Sequence, residues 1–263
     1  MDDRLPLSVL LLARDETAEL AALIPALGFA REIVVVWDPA GAAATRETAV
    51  QLGARVFERT LEGLGGGFGP QRQFALEQCT QDWVFWIDAD ERLGGGAERA
   101  LRLAWPGLTP GTAVAFERRG FFLGRRIRHC GWRNESVLRL FAKAHSRFDD
   151  APVHEKLITN VTRTISGREL TLDHHSYPTW EACVTKLVRY AHANAGKAWS
   201  AGRRAGAADL ALRPPLRFAR QYLLQLGFLD GAHGLVLCAL AAAQVFLKYA
   251  ELWDRTRRGR ATR

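Results

Sequence analysis

Cysteine is scarce in this 263-residue chain and badly spaced for its usual jobs. The four, at 79, 130, 183 and 238, form no CxxC or other metal-ligand spacing. In a chain of this length they do not make a disulfide framework either, so a reducing compartment is expected. Also missing is an apolar run of the roughly 20 residues that span a bilayer: the uncharged stretch Leu235–Leu247 has thirteen, which suits a core helix or an interfacial segment. The N-terminal MDDRLPLSVLLLARDE is acidic at its start, and charged where a cleavage site needs small residues. It reads as a first buried strand rather than a signal peptide. No GxxxxGK[ST] and no strand-borne GxGxxG occurs, which leaves a P-loop and a Rossmann dinucleotide site unsupported. Helix-turn-helix, zinc-finger and RNP signatures are absent, as are internal repeats.

What is present is an ordinary globular composition, 48% hydrophobic and 24% charged, which excludes wholesale disorder and fibrous structure. The formal charge of +8 is unevenly placed. From Lys186 onward there are 14 basic and 4 acidic residues, while residues 1–185 hold 22 basic and 24 acidic. A nearly neutral body therefore carries a basic C-terminal third. Arg213, Arg217 and Arg220 fall on one face of a predicted helix, with Phe218, Tyr222, Leu223 and Leu226 roughly opposite. Such a helix suits an anionic membrane surface; its rivals are a plain solvated basic face and a nucleic-acid contact. Without a nucleic-acid motif, that last partner is not expected.

The first half alternates strand-like and helix-like segments. Leu7–Ala13, Ile33–Trp37, Ala54–Phe57 and Trp83–Ile87 read as strands; Thr17–Leu27, Thr45–Leu52 and Pro70–Cys79 read as helices. The β-branched run Ile33–Trp37 suits a strand covered on both faces, and the rhythm argues an α/β sheet with parallel neighbours. Ligands of such sheets bind beyond the carboxyl ends of the strands. Between Gly111 and His175, Ala113–Arg118 and Ser136–Phe141 look like strands separated by loops; from Thr179 the pattern is helical.

Asp88-Ala89-Asp90 follows the apolar strand ending at Ile87. Two carboxylates two residues apart at a strand end can converge on Mg²⁺ or Mn²⁺, which take oxygen ligands and leave places for substrate phosphates; a solvated acidic turn is the competing reading. Val153-His154-Glu155 offers either a general base or a surface loop. Of the adjacent His174 and His175, at most one can face a given site in a strand, as a metal ligand or as a hydrogen-bonded structural histidine. The glycine cluster Gly63–Gly69, followed by Gln71-Arg72-Gln73, can lie as a flexible loop against a phosphate-bearing ligand.

Taken in order, these segments resemble the family 2 inverting glycosyltransferases with a GT-A fold, in particular the bacterial lipopolysaccharide-core group that includes β-1,4-glucosyltransferases. The likeness runs through Leu7–Glu16, Glu32–Asp38, Gly53–Phe57, Gln71–Leu76 and Asp82–Arg92. It continues in Gly131-Trp132, Arg139-Leu140-Phe141, Val153-His154-Glu155, His174 with Ser176-Tyr177, Gly227–Gly231 and Phe246–Tyr249. The resemblance implies a GT-A-like catalytic domain over 1–178, an α/β fold with a mixed sheet flanked by helices, and a basic helical region over 179–263 that meets membrane or acceptor. It implies Glu155 as catalytic base, and Asp38, Gln71, Arg72, Asp88 and Asp90 as nucleotide-sugar contacts. Asp90, Asp88 and His174 would be ligands of Mg²⁺ or Mn²⁺, and Trp132, Arg139 and His154 contacts to acceptor or phosphate. The expected activity is transfer of a hexose such as glucose from a nucleotide sugar such as a UDP-sugar to a lipopolysaccharide core or other lipid-linked glycan. The expected place is the cytoplasm, peripherally at the inner face of the membrane. One loop departs from the family's DSGSxDxT: here it reads Asp38-Pro39-Ala40-Gly41-Ala42-Ala43-Ala44-Thr45, without its second Asp and its Ser hydroxyls. A non-catalytic sugar-nucleotide or glycan-binding protein on the same fold is therefore the first alternative, and a basic nucleic-acid-binding protein the second.

Overall fold

A computed structural model describes residues 3–61, 67–132, 135–149 and 156–261. The chain forms two compact units, Met1–Arg118 with Ser136–His174, and Arg119–Glu135 with His175–Arg263. The second unit thus takes in Arg119–Glu135 as well as the C-terminal His175–Arg263.

The first unit is built on the alternation legible in the sequence. Strands β1 (Leu5–Ala13), β2 (Ala30–Trp37), β3 (Arg55–Glu58) and β4 (Trp83–Trp86) are interleaved with helices α1 (Thr17–Ala26), α2 (Ala43–Gln51) and α3 (Phe68–Gln78). β1 lies between β2 and β4, and β2 also pairs with β3, all in parallel. Next come β5 (Glu91–Leu93), α4 (Ala97–Ala104), β6 (Thr112–Phe122), β7 (Arg125–Arg126), β8 (Glu135–Ala142), β9 (Ser146–Phe148), β10 (Leu157–Thr159), β11 (Arg163–Ile165) and β12 (Thr171–Tyr177). The main sheet runs β3-β2-β1-β4-β8-β6-β12-β5, with β8 antiparallel to β4 and β12 antiparallel to β5. β9 and β10 form a separate antiparallel pair.

Strand periodicity divides the core between the two sheet faces. Leu7, Val9 and Leu11 of β1 pack with Val35, Phe85 and Phe116 on one side. Leu10 packs with Val34, Val36, Val84 and Phe141 on the other. Both faces are therefore apolar, as a parallel strand covered twice requires, and each such fully buried side chain contributes about 1.5–3 kcal/mol. Because β1, β2 and β4 are parallel, their carboxyl ends lie at one edge, and Asp38 and Asp88 follow β2 and β4 there.

The second unit is mostly helical: α5 (Trp180–Ser200), α6 (Ala207–Ala219) and α7 (Gly231–Ala261), with α5 and α6 both packed on α7. Thr179 caps α5, its Oγ1 accepting from the Ala182 N–H at 3.2 Å. A π turn, Arg220–Leu224, and a 3-10 turn, Gly227–Asp230, connect α6 to α7. The core gathers Phe122, Ile127, Cys130, Cys183, Leu237 and Cys238. The expected thirteen-residue apolar segment proves to be part of a longer element: among the described residues, Gly227–Arg258 is long and apolar enough to cross a membrane by length and composition alone.

Candidate active site

The first unit concentrates its buried charge just past β4. A tight turn, closed by the Glu91 N–H donating to the Asp88 carbonyl at 2.9 Å, brings Asp88, Asp90 and Glu91 together. Asp88 Oδ1 accepts from Arg72 Nη2 at 2.9 Å and from Trp86 Nε1 at 3.2 Å. Its Oδ2 accepts from Arg139 Nη2 at 3.0 Å. The same Arg139 nitrogen donates to Glu91 Oε1 at 2.6 Å, and Glu91 Oε2 accepts the Asp88 N–H at 3.1 Å. Both guanidiniums lie over the Trp86 ring, Arg72 at 4.1 Å and Arg139 at 4.3 Å from its centroid, a favourable placement of cations on a π face.

The electrostatics follow from this packing. Desolvation works against the Asp88 charge, but Arg139 and Arg72 outweigh it and hold the carboxyl far below the ordinary carboxylate range. Glu91 goes the other way: burial pushes it up, Arg139 pulls it down, and the Asp88 charge adds to the push. Arg139 is raised, because Asp88 and Glu91 overcome its burial. Arg72 is lowered, with burial the largest cause. Asp88 is thus held in its ionised form, and both of its oxygens already accept N–H groups.

Asp90 has different company. His174 Nε2 stands 3.4 Å from its Oδ2, brought there because β12 pairs with β5 so that His174 is opposite Glu91. A carboxylate and an imidazole at this separation can supply two donors to a divalent cation, leaving the remaining places to water and phosphate oxygens. Among the described residues, no group of three or more His, Cys, Asp or Glu side chains is placed to hold a metal.

Asp38, at the end of β2, is buried. Its Oδ1 accepts the Ala40 N–H at 3.1 Å, while its buried Oδ2 has no hydrogen-bond partner among the described residues and faces Arg14 Nη1 at 3.7 Å. An acceptor left this way inside a protein is normally satisfied by a ligand or by water. The loop that departs from the family pattern is nonetheless well held. Asp15 Oδ1 accepts the Ala42 N–H at 2.8 Å, and Thr17 and Thr45 hydroxyls bond at 2.7 Å. Gly41 passes so close to β1 that a Cβ there would sit 2.1 Å from the Arg14 carbonyl oxygen.

The other expected residues divide. Gln71 is buried, and its amide donates to the Arg59 carbonyl at 2.6 Å, tying α3 to the end of β3. Trp132 belongs to the second unit, where it stacks on Tyr177 with centroids 5.9 Å apart. His154 and Glu155 lie outside the described residues, as does most of the glycine cluster. Trp86 and Glu91 were not expected as site residues. Their signals were an aromatic at the last position of β4, and Arg139 set between Leu138 and Leu140 of a strand, a cation that needs buried acids.

No protein-family model matches the chain. The lipopolysaccharide core biosynthesis glycosyltransferase LpsC of Rhizobium meliloti (strain 1021) is 31% identical over 269 residues, covering 95% of each chain. An uncharacterized glycosyltransferase of Rickettsia prowazekii (strain Madrid E) is 24% identical over 258 residues, 94% of this chain and 87% of its own. Among solved structures, S. aureus TarS 1–349 in complex with UDP gives a TM-score of 0.45 at 14% identity, over 97% of this chain and 92% of that one.

Proposed function

Because the chain belongs to the glycosyltransferase family of the R. meliloti lipopolysaccharide-core enzyme, family 2 with the GT-A fold, we propose that it transfers a hexose, glucose foremost, from a UDP-sugar to a lipopolysaccharide core or other lipid-linked glycan, with inversion. The observation that supports this most is the pairing of an unsatisfied Asp38 oxygen with the Asp90–His174 donors, all in the unit whose parallel strands end at that edge. Asp38 would take the base or ribose, and Arg72 and Asp88 would line the nucleotide. Asp90 and His174 would hold Mg²⁺ or Mn²⁺. That cation, when bound, would neutralise charge on the departing diphosphate.

Inversion is a single in-line displacement. The acceptor oxygen attacks the anomeric carbon as its bond to the diphosphate breaks, and one base takes the acceptor proton. Glu155 is proposed for that role. A diphosphate leaving group needs no strong general acid, so one proton-transfer carboxylate suffices. The enzyme would act in the cytoplasm, at the inner face of the membrane where a lipid-linked acceptor is presented.

The test is transfer or donor hydrolysis with UDP-sugars and Mg²⁺ or Mn²⁺, for wild type, Asp90→Ala and Glu155→Gln. Glu155→Gln is expected to lower turnover by roughly 10²–10⁴-fold while donor binding by calorimetry stays unchanged. An unchanged rate removes Glu155 from the mechanism. A wild type that binds a donor but turns over none is a binding protein on this fold.

A further inference from the structure

In the second unit, α6 and the turn that follows it carry an exposed apolar surface. In α6 and the π turn that prolongs it, the aromatic side of the helix is already satisfied. Phe218 and Tyr222 stack with centroids 5.2 Å apart and pack against the core around Cys130 and Cys238. The leucines turn outward instead. Leu212 and Leu216, one helical turn apart, are 59% and 66% exposed; Leu223 and Leu224, in the π turn, are 57% and 80% exposed. Beyond them Leu226 is held at φ +57°, a left-handed conformation unfavourable for leucine, and is also exposed. Single exposed leucines need no explanation, but a run of them along one helix and its following turn does.

The charges around these leucines have one sign. Arg213, Arg217 and Arg220 are interleaved with them and exposed, and no acidic residue occurs between Arg213 and Leu229. The two carboxylates nearest in the sequence are engaged. Asp209 accepts from Arg213 Nε, and Asp230 is buried, accepting the Arg128 and His129 N–H groups at 3.1 and 2.8 Å. An apolar stripe interleaved along the chain with arginines and no acids is complementary to acyl chains beneath anionic headgroups.

We propose that the Leu212–Leu229 segment is a membrane-docking face, its leucines entering the headgroup–acyl boundary of an anionic bilayer and Arg217 and Arg220 meeting lipid phosphates. The sequence-level reading put Leu223 and Leu226 with Phe218 and Tyr222 on one apolar face. The structure separates them: the aromatics hold the unit together and the leucines are free to insert. The attachment is argued from these side chains alone and does not depend on which sugar is moved.

Flotation of the full chain with phosphatidylcholine vesicles, with and without phosphatidylglycerol, tests it. Wild type is expected to float with the anionic vesicles and weakly with the neutral ones. Leu216→Asp/Leu224→Asp should lower partition at least tenfold. Arg217→Gln/Arg220→Gln should lower it on anionic vesicles by about thirty-fold, taking about 1 kcal/mol for each arginine. Leu216→Ser/Leu224→Ser, with circular dichroism and thermal midpoint in parallel, separates loss of docking from loss of fold. Wild-type partition in both leucine variants overturns the proposal. So does a stable dimer by light scattering that the leucine variants dissociate, since the face would then belong to a second copy. Resistance of the wild type to alkaline extraction overturns it as well, by giving the membrane contact to α7. UDP-sugar hydrolysis is measured on the same samples: flotation without turnover would sink only the transferase assignment.

Discussion

Arg139 is the residue on which the acidic turn after β4 depends. It is 2% exposed and touches Asp88, Glu91 and the face of Trp86 together. Removing one partner of a buried pair leaves an uncompensated charge, which is far worse than never having had the pair. Arg139→Met is therefore expected to destabilise the protein by roughly 3–5 kcal/mol in urea unfolding. Adding Glu91→Leu should return part of that loss, because the stranded carboxylate goes too. A double variant no more stable than Arg139→Met would mean that Glu91 is not the group arginine neutralises. Asp90→Ala removes a half-exposed carboxylate beside His174 and should cost much less stability than Arg139→Met while abolishing metal-dependent turnover. Equal loss of both would make Asp90 a structural residue.

At the scale of elements, the ends of the parallel strands do different work. At the amino ends of β1 and β2, Glu32 accepts from the Ser8 hydroxyl, from Arg55 and from the Thr80 N–H, the last at 2.8 Å. Burial opposes the Glu32 charge, but Ser8, Thr80 and Arg55 together bring its pKa below the ordinary value. A carboxyl with a depressed folded-state pKa stabilises the protein above the unfolded pKa, about 4.3, and loses that contribution as pH falls through the folded value. Glu32→Gln should accordingly cost about 1–3 kcal/mol at neutral pH, and its difference from wild type should shrink below about pH 4. A difference that stays constant across that range would assign the effect to hydrogen-bond geometry rather than charge. At the carboxyl ends, Asp15 accepts the N–H of Ala42, the residue just before α2. Asp15→Ala should cost about 1 kcal/mol and Asp15→Asn much less.

These same elements show what a sequence can and cannot reveal. β1, β2 and β4 were legible because both faces are apolar and each ends in a polar loop, so Asp38, Asp88 and Asp90 could be placed at strand ends. β5, β9, β10 and β11 were not, since three residues carry no periodicity. The site suffered accordingly. His174 reaches Asp90 only through the β5–β12 pairing, and Arg139 reaches Asp88 through the antiparallel β4–β8 pairing. No local pattern in the sequence specifies either long-range register. The hydrogen bond from Asp15 to the loop that departs from the family pattern needed coordinates.

Over the whole molecule, the sparse cysteines have a physical consequence. All four are buried and reduced in the structure: Cys79 lies in a core of the first unit, while Cys130, Cys183 and Cys238 share the core of the second, the sulfurs of Cys130 and Cys238 lying 3.7 Å apart. Burial pushes every one of these thiols up, Cys79 to about 12 and the others in the same direction. Because the thiolate is the reactive form, neither access nor ionisation favours attack in the folded chain. The native protein should therefore react negligibly with Ellman's reagent on the timescale of minutes, and four thiols should titrate at once in guanidinium. The labelling rate should follow the population of opened molecules, rising with denaturant before the main transition. Titration of only two thiols after denaturation without reductant would place a bond between Cys130 and Cys238 and end the reading of this chain as a protein of a reducing compartment. Fast labelling of one native thiol would instead identify a core that opens locally, and substituting each cysteine by serine in turn would show which.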